Sequence, residues 1–566
     1  MDQSQLRHQS DSRFCFSLSQ DTVLVRLGIA RSAKIDTVRL VYGISHEFTY
    51  KRKKVRMQAR YFDGTFDYYE AKMSGTPTRF LYFFEIENEG LKWCYSESGL
   101  HLGFDYGLGF LNAFQMIGEN RSDFTLPKPS WDGRIFYQIF PERFAIGIEN
   151  KPYVNRSWQA KGNELHGAFL GGDLRGIKQK LDYLSSLGVG AIYLNPIHPS
   201  PSNHKYDVLD YFDVDLGFGG MEAFDELIEE AHAHDIKIVM DLVFNHTSNH
   251  HPFFEDVKRR GRASPYYDFY FIDGDYPDET KKNYATFASV KTMPKLDTSN
   301  PKVQDYLIEV GRFYAGKHHV DGFRLDVCEG VSHEFWMRFK MELKKIDPEV
   351  LLIGEIWLNS ESYLGPNQID GVMDYPLLGT ISGFCLGNDL ASETSARMNG
   401  YLVRYKEGNV KMMMNLLSSH DIQRFTHLNQ GDKDAVLIGY AILFFFPGFP
   451  CLYYGDEIFL DGATDPDSRR GMPWGSPEFN SPEHEAFLSL LRLRHSDDAL
   501  KHGEVYVGEE HGCLRIMRWN EKETITLIAN MSGKEVEING KAILSRHYDG
   551  KELSHKGYCV FLSHKK

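Results

Sequence analysis

From Arg134 onward, short apolar runs alternate with segments of helical period. Ile135–Phe140 and Ala191–Leu194 read as strands. Between them Leu174, Ile177, Leu181, Leu184 and Leu187 fall on one helical face, which predicts a single helix over Asp173–Leu187. Met221–His234 predicts another helix. Strand-type runs follow at Ile236–Val239, His319–Phe323, Val350–Ile353 and Lys411–Leu417. Alternation of this kind across residues 126–494 predicts the α/β class and a parallel TIM (β/α)8 barrel. The stretch Thr247–Asn300 breaks the alternation. It is polar and aromatic without a clean period, and reads as an excursion domain inserted after strand 3 (residues 247–300), overhanging the mouth.

The flanking pattern differs. Residues 1–125 carry short alternating runs, among them Val23–Leu27, Thr37–Tyr42 and Phe80–Ile86, separated by turn signals. They predict an N-terminal β-sandwich. Pro127 and Pro129 stiffen the linker that follows. Residues 495–566 return to strands at Gly503–Val507, Leu514–Arg518, Thr524–Asn530 and Tyr558–Leu562, predicting a small C-terminal β-domain.

Composition narrows the function. A chain of 566 residues exceeds what one core usually serves. A formal net charge of −14 argues against nucleic-acid and anionic-membrane partners and suits a neutral substrate. The 31 Tyr and 39 Phe read either as large cores or as platforms for the apolar faces of sugars. Met1–Gln5 lacks a basic segment leading into an apolar one, and Ala441–Phe446 is far too short to span a bilayer. The seven cysteines are scattered, with no zinc or CxxC spacing. A cytoplasmic protein with free thiols is expected.

Five segments are built to end barrel strands in a carboxylate or histidine: Val239–His246, Gly322–Asp326, Gly354–Trp357, Ser419–Asp421 and Gly455–Glu457. Polar groups placed after buried strands predict a site at the C-terminal mouth. Carboxylates on several strands suit glycoside hydrolysis. Arg324 and Asp326, two residues apart on a strand, share a face. An arginine there would orient Asp326 and lower its pKa, as a nucleophile needs; alone, the pair also reads as a structural ion pair. Glu355 beside Trp357 would be poorly solvated and its pKa raised, suiting a general acid. Asp421 would clamp sugar hydroxyls and support a cationic transition state, or cap a helix. His246 and His420 would donate to sugar hydroxyls, and Tyr206 would stack on a bound glucose.

These residues, with Ser200–Asp207, Met293–Leu296, Ser332–Trp336 and Asp465–Arg470, give the chain a family likeness. It resembles the α-amylase family (glycoside hydrolase family 13), in the branch of cyclomaltodextrinases, neopullulanases and maltogenic amylases. The resemblance implies Asp326 as nucleophile, Glu355 as acid/base and Asp421 as transition-state stabiliser. It implies that Arg324, His246, His420 and Tyr206 line the subsite of the reacting glucose, with His204 and Trp357 also contacting substrate. Asp465 and Arg469 would hold the next sugar.

The implied activity is retaining hydrolysis of α-1,4 bonds in cyclomaltodextrins, maltooligosaccharides or pullulan. An α-1,6-acting enzyme or a transglycosylase of the same fold is the nearest alternative, and a non-catalytic carbohydrate-binding protein a remote one. Three departures bear on that choice: Val327-Cys328-Glu329-Gly330 replaces the branch's Val-Ala-Asn-Glu, Leu358 replaces a histidine, and Gln423 a glutamate. Many relatives place calcium ligands, Asn and Asp, just after the Arg-Phe-Ala stretch. Ile146 and Ile148 stand there, although Gly172 and Asp173 remain, so no cofactor is expected to be required and calcium is the one candidate. The branch commonly pairs with the N-terminal sandwich of one chain over the barrel mouth of the other, which implies a homodimer.

Overall fold

The computed structural model describes residues 1–75 and 78–565; the side chains of residues 108–110 are outside that description. Eight parallel strands form the central sheet: β1 (Ile135–Ile139), β2 (Val189–Leu194), β3 (Lys237–Leu242), β4 (Gly322–Leu325), β5 (Leu351–Gly354), β6 (Gly371–Val372), β7 (Met414–Leu416) and β8 (Phe449–Tyr453). Each pairs with its sequence neighbour from β1 to β6, β8 pairs with both β1 and β7, and a bridge from Met373 to Met414 joins β6 to β7. The result is the expected β/α barrel. Its strands are buried on both faces, which is why they read as short, mostly apolar runs, broken by Asp241 in β3 and Arg324 in β4.

Two details differ from the sequence reading. The apolar stripe from Leu174 to Leu187 is carried by two helices, Leu174–Lys178 and Leu181–Ser186, not one. Both still bury their leucines against the barrel. The sixth strand, only two residues long, has no periodic signature and was not anticipated.

The insertion after β3 contains a helix, Pro252–Arg260, followed by turns and isolated bridges. It returns to the barrel where His246 bridges Lys295 and the Lys295 ammonium donates to Gly330 O at 2.7 Å. Phe287 from this insertion stacks on His246 with ring centroids 5.0 Å apart.

The N-terminal part forms two antiparallel sheets, one centred on Thr22–Ala30 and the other on Arg79–Asn88. Alternate residues of the facing strands, including Val25, Leu27, Leu40, Phe80 and Phe84, fill the space between them. This part also touches its own barrel. Phe14, Phe66 and Tyr68 pack on Val403, and Arg13 Nη1 lies 2.9 Å from Glu361 Oε2. The C-terminal sheet pairs Glu504–Glu510, Cys513–Trp519, Glu523–Asn530 and Glu552–His564 in antiparallel order. All seven cysteines are buried free thiols. Among the described residues no helix is long and apolar enough to cross a membrane.

Candidate active site

Strand register brings the charged residues together. In the β3–β4 pair Asp241 lies opposite Arg324, and in the β4–β5 pair Leu325 lies opposite Gly354. One step further along both strands are Asp326 and Glu355. Their backbones are held by hydrogen bonds from Asp326 N to Leu242 O at 3.0 Å and from Glu355 N to Leu325 O at 2.9 Å. Gly354 permits this approach: a Cβ there would meet Ile369 Cδ1 at 2.7 Å and Cys328 Sγ at 3.0 Å. Directly after Asp326, Val327 sits at φ 44°, a left-handed conformation costly for a β-branched residue. That turn aims its N–H at Glu355 Oε2, 3.0 Å away.

Arg324, fully buried, is the hub. Its Nη1 contacts both oxygens of Asp241 at 3.0 Å and Asp326 Oδ1 at 2.8 Å. Its Nη2 lies 2.9 Å from Glu355 Oε2 and 3.9 Å from Asp421 Oδ2. One guanidinium thus faces four carboxylates. Burial, reinforced by the charges of Glu355, Asp241 and Asp421, pushes the Asp326 carboxyl well above its ordinary value even though Arg324 opposes the shift. This reverses the expected lowering: the arginine orients Asp326, but one positive charge does not outweigh burial among carboxylates. Asp421 is pushed up to about 7 by burial and the Glu355 charge, against Arg324 and Arg469.

The aromatic and imidazole groups form a wall beside this cluster. Tyr206 stacks on His420, ring centroids 5.5 Å apart and planes nearly parallel, and its hydroxyl lies 2.9 Å from Asp241 Oδ2 and 2.5 Å from His420 Nε2. His420 Nδ1 meets Gln138 Nε2 at 2.8 Å. Burial holds its imidazole far below the usual value, and therefore neutral. His204 also packs on Tyr206, ring centroids 6.0 Å apart. His246 is placed differently from expectation. Its Nε2 lies 3.1 Å from Tyr206 O and its Nδ1 3.2 Å from Asn245 Nδ2, so both ring nitrogens have protein partners and the ring braces the Tyr206 backbone. Burial lowers it to about 3.

Trp357, 40% exposed, lies flat on Tyr375 at 3.9 Å and donates its indole N–H to Glu355 Oε1 at 3.1 Å. It therefore meets the acid as a hydrogen-bond donor, not as the apolar wall anticipated. Arg469 joins the far side of the site. Its Nη1 pairs with Asp465 at 2.9 Å and its Nε donates to His420 O at 2.9 Å.

Two predicted features separate from the site. Asp456 accepts from Tyr440 Oη and Tyr453 N, and Glu457 from Tyr137 and Tyr183 hydroxyls at 2.8 and 2.7 Å. The Gly455–Glu457 segment is thus a buried brace of the barrel, not part of the carboxylate cluster. Conversely, Asp241, Tyr193 and Tyr375 belong to the cluster but were not singled out. Asp241 had a signal, a carboxylate inside the apolar run Val239–Leu242. Tyr375 had none, since it follows the unrecognised β6.

The family model described as alpha amylase, catalytic domain, matches residues 138–526, and that described as alpha amylase, N-terminal ig-like domain, matches residues 1–107. A cyclomaltodextrinase of Geobacillus thermopakistaniensis is 35% identical over 545 residues, covering 94% of this chain and 92% of its own. Neopullulanase 2 of Thermoactinomyces vulgaris is 35% identical over 544 residues, covering 94% and 91%. A solved cyclomaltodextrinase structure superposes with a TM-score of 0.92 at 28% identity over 100% of both chains. The chain belongs to the α-amylase family of glycoside hydrolases, in the branch that holds cyclomaltodextrinases, maltogenic amylases and neopullulanases.

Proposed function

We propose that this chain hydrolyses α-1,4-glucosidic bonds of cyclomaltodextrins, maltooligosaccharides or pullulan with retention of anomeric configuration. The observation that carries the reading is the placement of Asp326 and Glu355 at adjacent positions on β4 and β5, both against Arg324. A nucleophile and an acid held this close suit a double displacement. Asp326 attacks the anomeric carbon as Glu355 gives its proton to the leaving glycosidic oxygen, forming a glycosyl ester. Glu355 then takes a proton from water, whose oxygen displaces Asp326 and releases the sugar. Asp421 faces the same space and stabilises the positive charge that develops on the ring. Tyr206 offers its ring face to the reacting glucose, and Asp465 with Arg469 offers polar groups to the sugar beyond it.

A second reading, glycosyl transfer or α-1,6 cleavage, is favoured by Leu358. It stands 77% exposed next to Trp357, a hydrocarbon side chain where the resemblance implies a histidine on the leaving-group side. Such a surface would hold an incoming sugar in place of water. Product time courses on maltotriose, panose and β-cyclodextrin, with anomeric configuration followed by NMR, separate the two. Ring opening of β-cyclodextrin with retained α-products supports α-1,4 hydrolysis. Exclusive cleavage of the α-1,6 bond of panose, or products longer than maltotriose, supports the second reading.

The setting proposed is cytoplasmic, supported by relatives named intracellular maltogenic amylase in Bacillus subtilis. A homodimer through the N-terminal sandwich is also proposed. Its support is the exposed apolar set Tyr50, Leu91, Leu102, Leu111 and Ile117 on that part of the chain.

A further inference from the structure

The loop after β1 carries the positions where the family resemblance implies a calcium site, and its side chains do not fit that ion. Calcium takes six to eight oxygens at about 2.3–2.6 Å. Here Ile146 and Ile148 offer hydrocarbon, and Ile148 packs toward Gly219. Asp173 is retained and wholly buried, but its carboxylate is already filled. Oδ1 accepts from Gly176 N at 2.7 Å; Oδ2 accepts from Gly147 N at 3.0 Å, Ile148 N at 2.8 Å and Lys151 Nζ at 2.6 Å. The same ammonium donates to Gly171 O at 2.7 Å. The Lys151 side chain is only 6% exposed. A positive charge of the chain itself therefore sits between the retained carboxylate and a backbone carbonyl.

The segment closed by this contact leads to the glucose-facing wall. Asn155 pairs with Phe169, N to O at 3.1 Å and Oδ1 to N at 2.9 Å. Ala168 O accepts from Arg143 at 2.8 Å and from Asn203 Nδ2 at 2.7 Å. The Lys205 ammonium lies 5.7 Å over the Phe169 ring. Lys205 itself stands at φ 65°, a left-handed conformation that persists only where its surroundings fix it, and Tyr206 is the next residue.

We propose that Lys151 is a positioning residue whose ammonium replaces the calcium of related proteins and fixes the 151–173 loop that supports Tyr206. The fold is then independent of calcium. Removing one partner of a buried pair leaves the other charge uncompensated, so loss of Lys151 is felt along the whole segment.

Thermal unfolding in EDTA and in millimolar CaCl2, together with kinetics on β-cyclodextrin, tests this. The wild type should show the same Tm in both solutions. Lys151→Met should lower Tm by about 4 °C. It should raise KM about fivefold while kcat stays within about twofold, because only the Tyr206 wall shifts. Lys151→Arg should recover both. A wild-type Tm that falls in EDTA and returns with calcium would overturn the proposal by showing a resident ion. A Tm loss in Lys151→Met with unchanged KM would overturn the positioning role. Should Lys151→Met not fold, the wild-type scans and Lys151→Arg still decide. The KM readout rests on the cyclodextrin activity proposed above and the Tm readout does not, so the two failures are distinguishable.

Discussion

The guanidinium of Arg324 lies 2.9 Å from the carboxylate of Glu355, through the nitrogen that Asp241 and Asp326 do not use. The proposed acid and nucleophile thus share one cation, Asp326 by a hydrogen bond from Nη1 and Glu355 by an ion pair with Nη2. This sets what each substitution in the cluster should do.

Glu355→Gln keeps the side-chain shape and the contact with Trp357 but can neither give nor take the proton. It should lower kcat at least about a thousandfold and leave KM for β-cyclodextrin nearly unchanged. Steady-state kinetics check this, and near-normal turnover would assign the acid to another residue.

Arg324→Met removes the one positive charge that, among the described residues, directly contacts Asp241, Asp326 and Glu355. Three carboxylates would then share a buried site without compensation. Stability should fall by about 3–5 kcal/mol at neutral pH and recover in part on acidification, as the carboxyls take up protons. Urea unfolding at pH 5 and pH 7.5 measures both. Equal losses at the two pH values would contradict the electrostatic account.

Asp421 holds its proton in the folded chain up to about pH 7, whereas its ordinary value is 3.8. Between those values the folded state binds more protons than the unfolded one, so this group makes stability fall as pH rises from about 4 to 7 and has no further effect above. Asp421→Asn should flatten that part of the stability–pH curve. An unaltered slope in the variant would show that Asp421 ionises normally.

Deleting residues 1–125 should convert a micromolar dimer to a monomer by sedimentation and shift preference from β-cyclodextrin toward starch. The deletion also exposes Val403, which the sandwich of the same chain covers, and removes Arg13 from its pairing with Glu361. Some loss of thermal stability is therefore expected as well. A full-length chain that sediments as a monomer, with preference unchanged by the deletion, would refute the paired arrangement.

Periodicity by itself pointed to the barrel, because parallel strands covered on both faces must be mostly apolar and the helices between them must bury one stripe. It also placed Arg324, Asp326, Glu355 and Asp421 at strand ends, since a charge directly after a buried run is a local signal. What local pattern does not carry is the pairing between strands and the direction a side chain takes beyond them. Asp456 and Glu457 follow β8 within a few residues, as Asp326 follows β4, yet tyrosines from other elements bind them away from Arg324. Asp241 became a partner of Arg324 only through the β3–β4 register. β6 is too short to show a period, and Tyr375 was hidden with it. Lys151 carried no signal at all: its ammonium reaches Asp173 across 22 residues, and only the folded loop brings them together. A sequence states which groups each element offers, whereas the net field at Asp326 depends on burial and on four neighbours from different strands, and that sum exists only in the closed barrel.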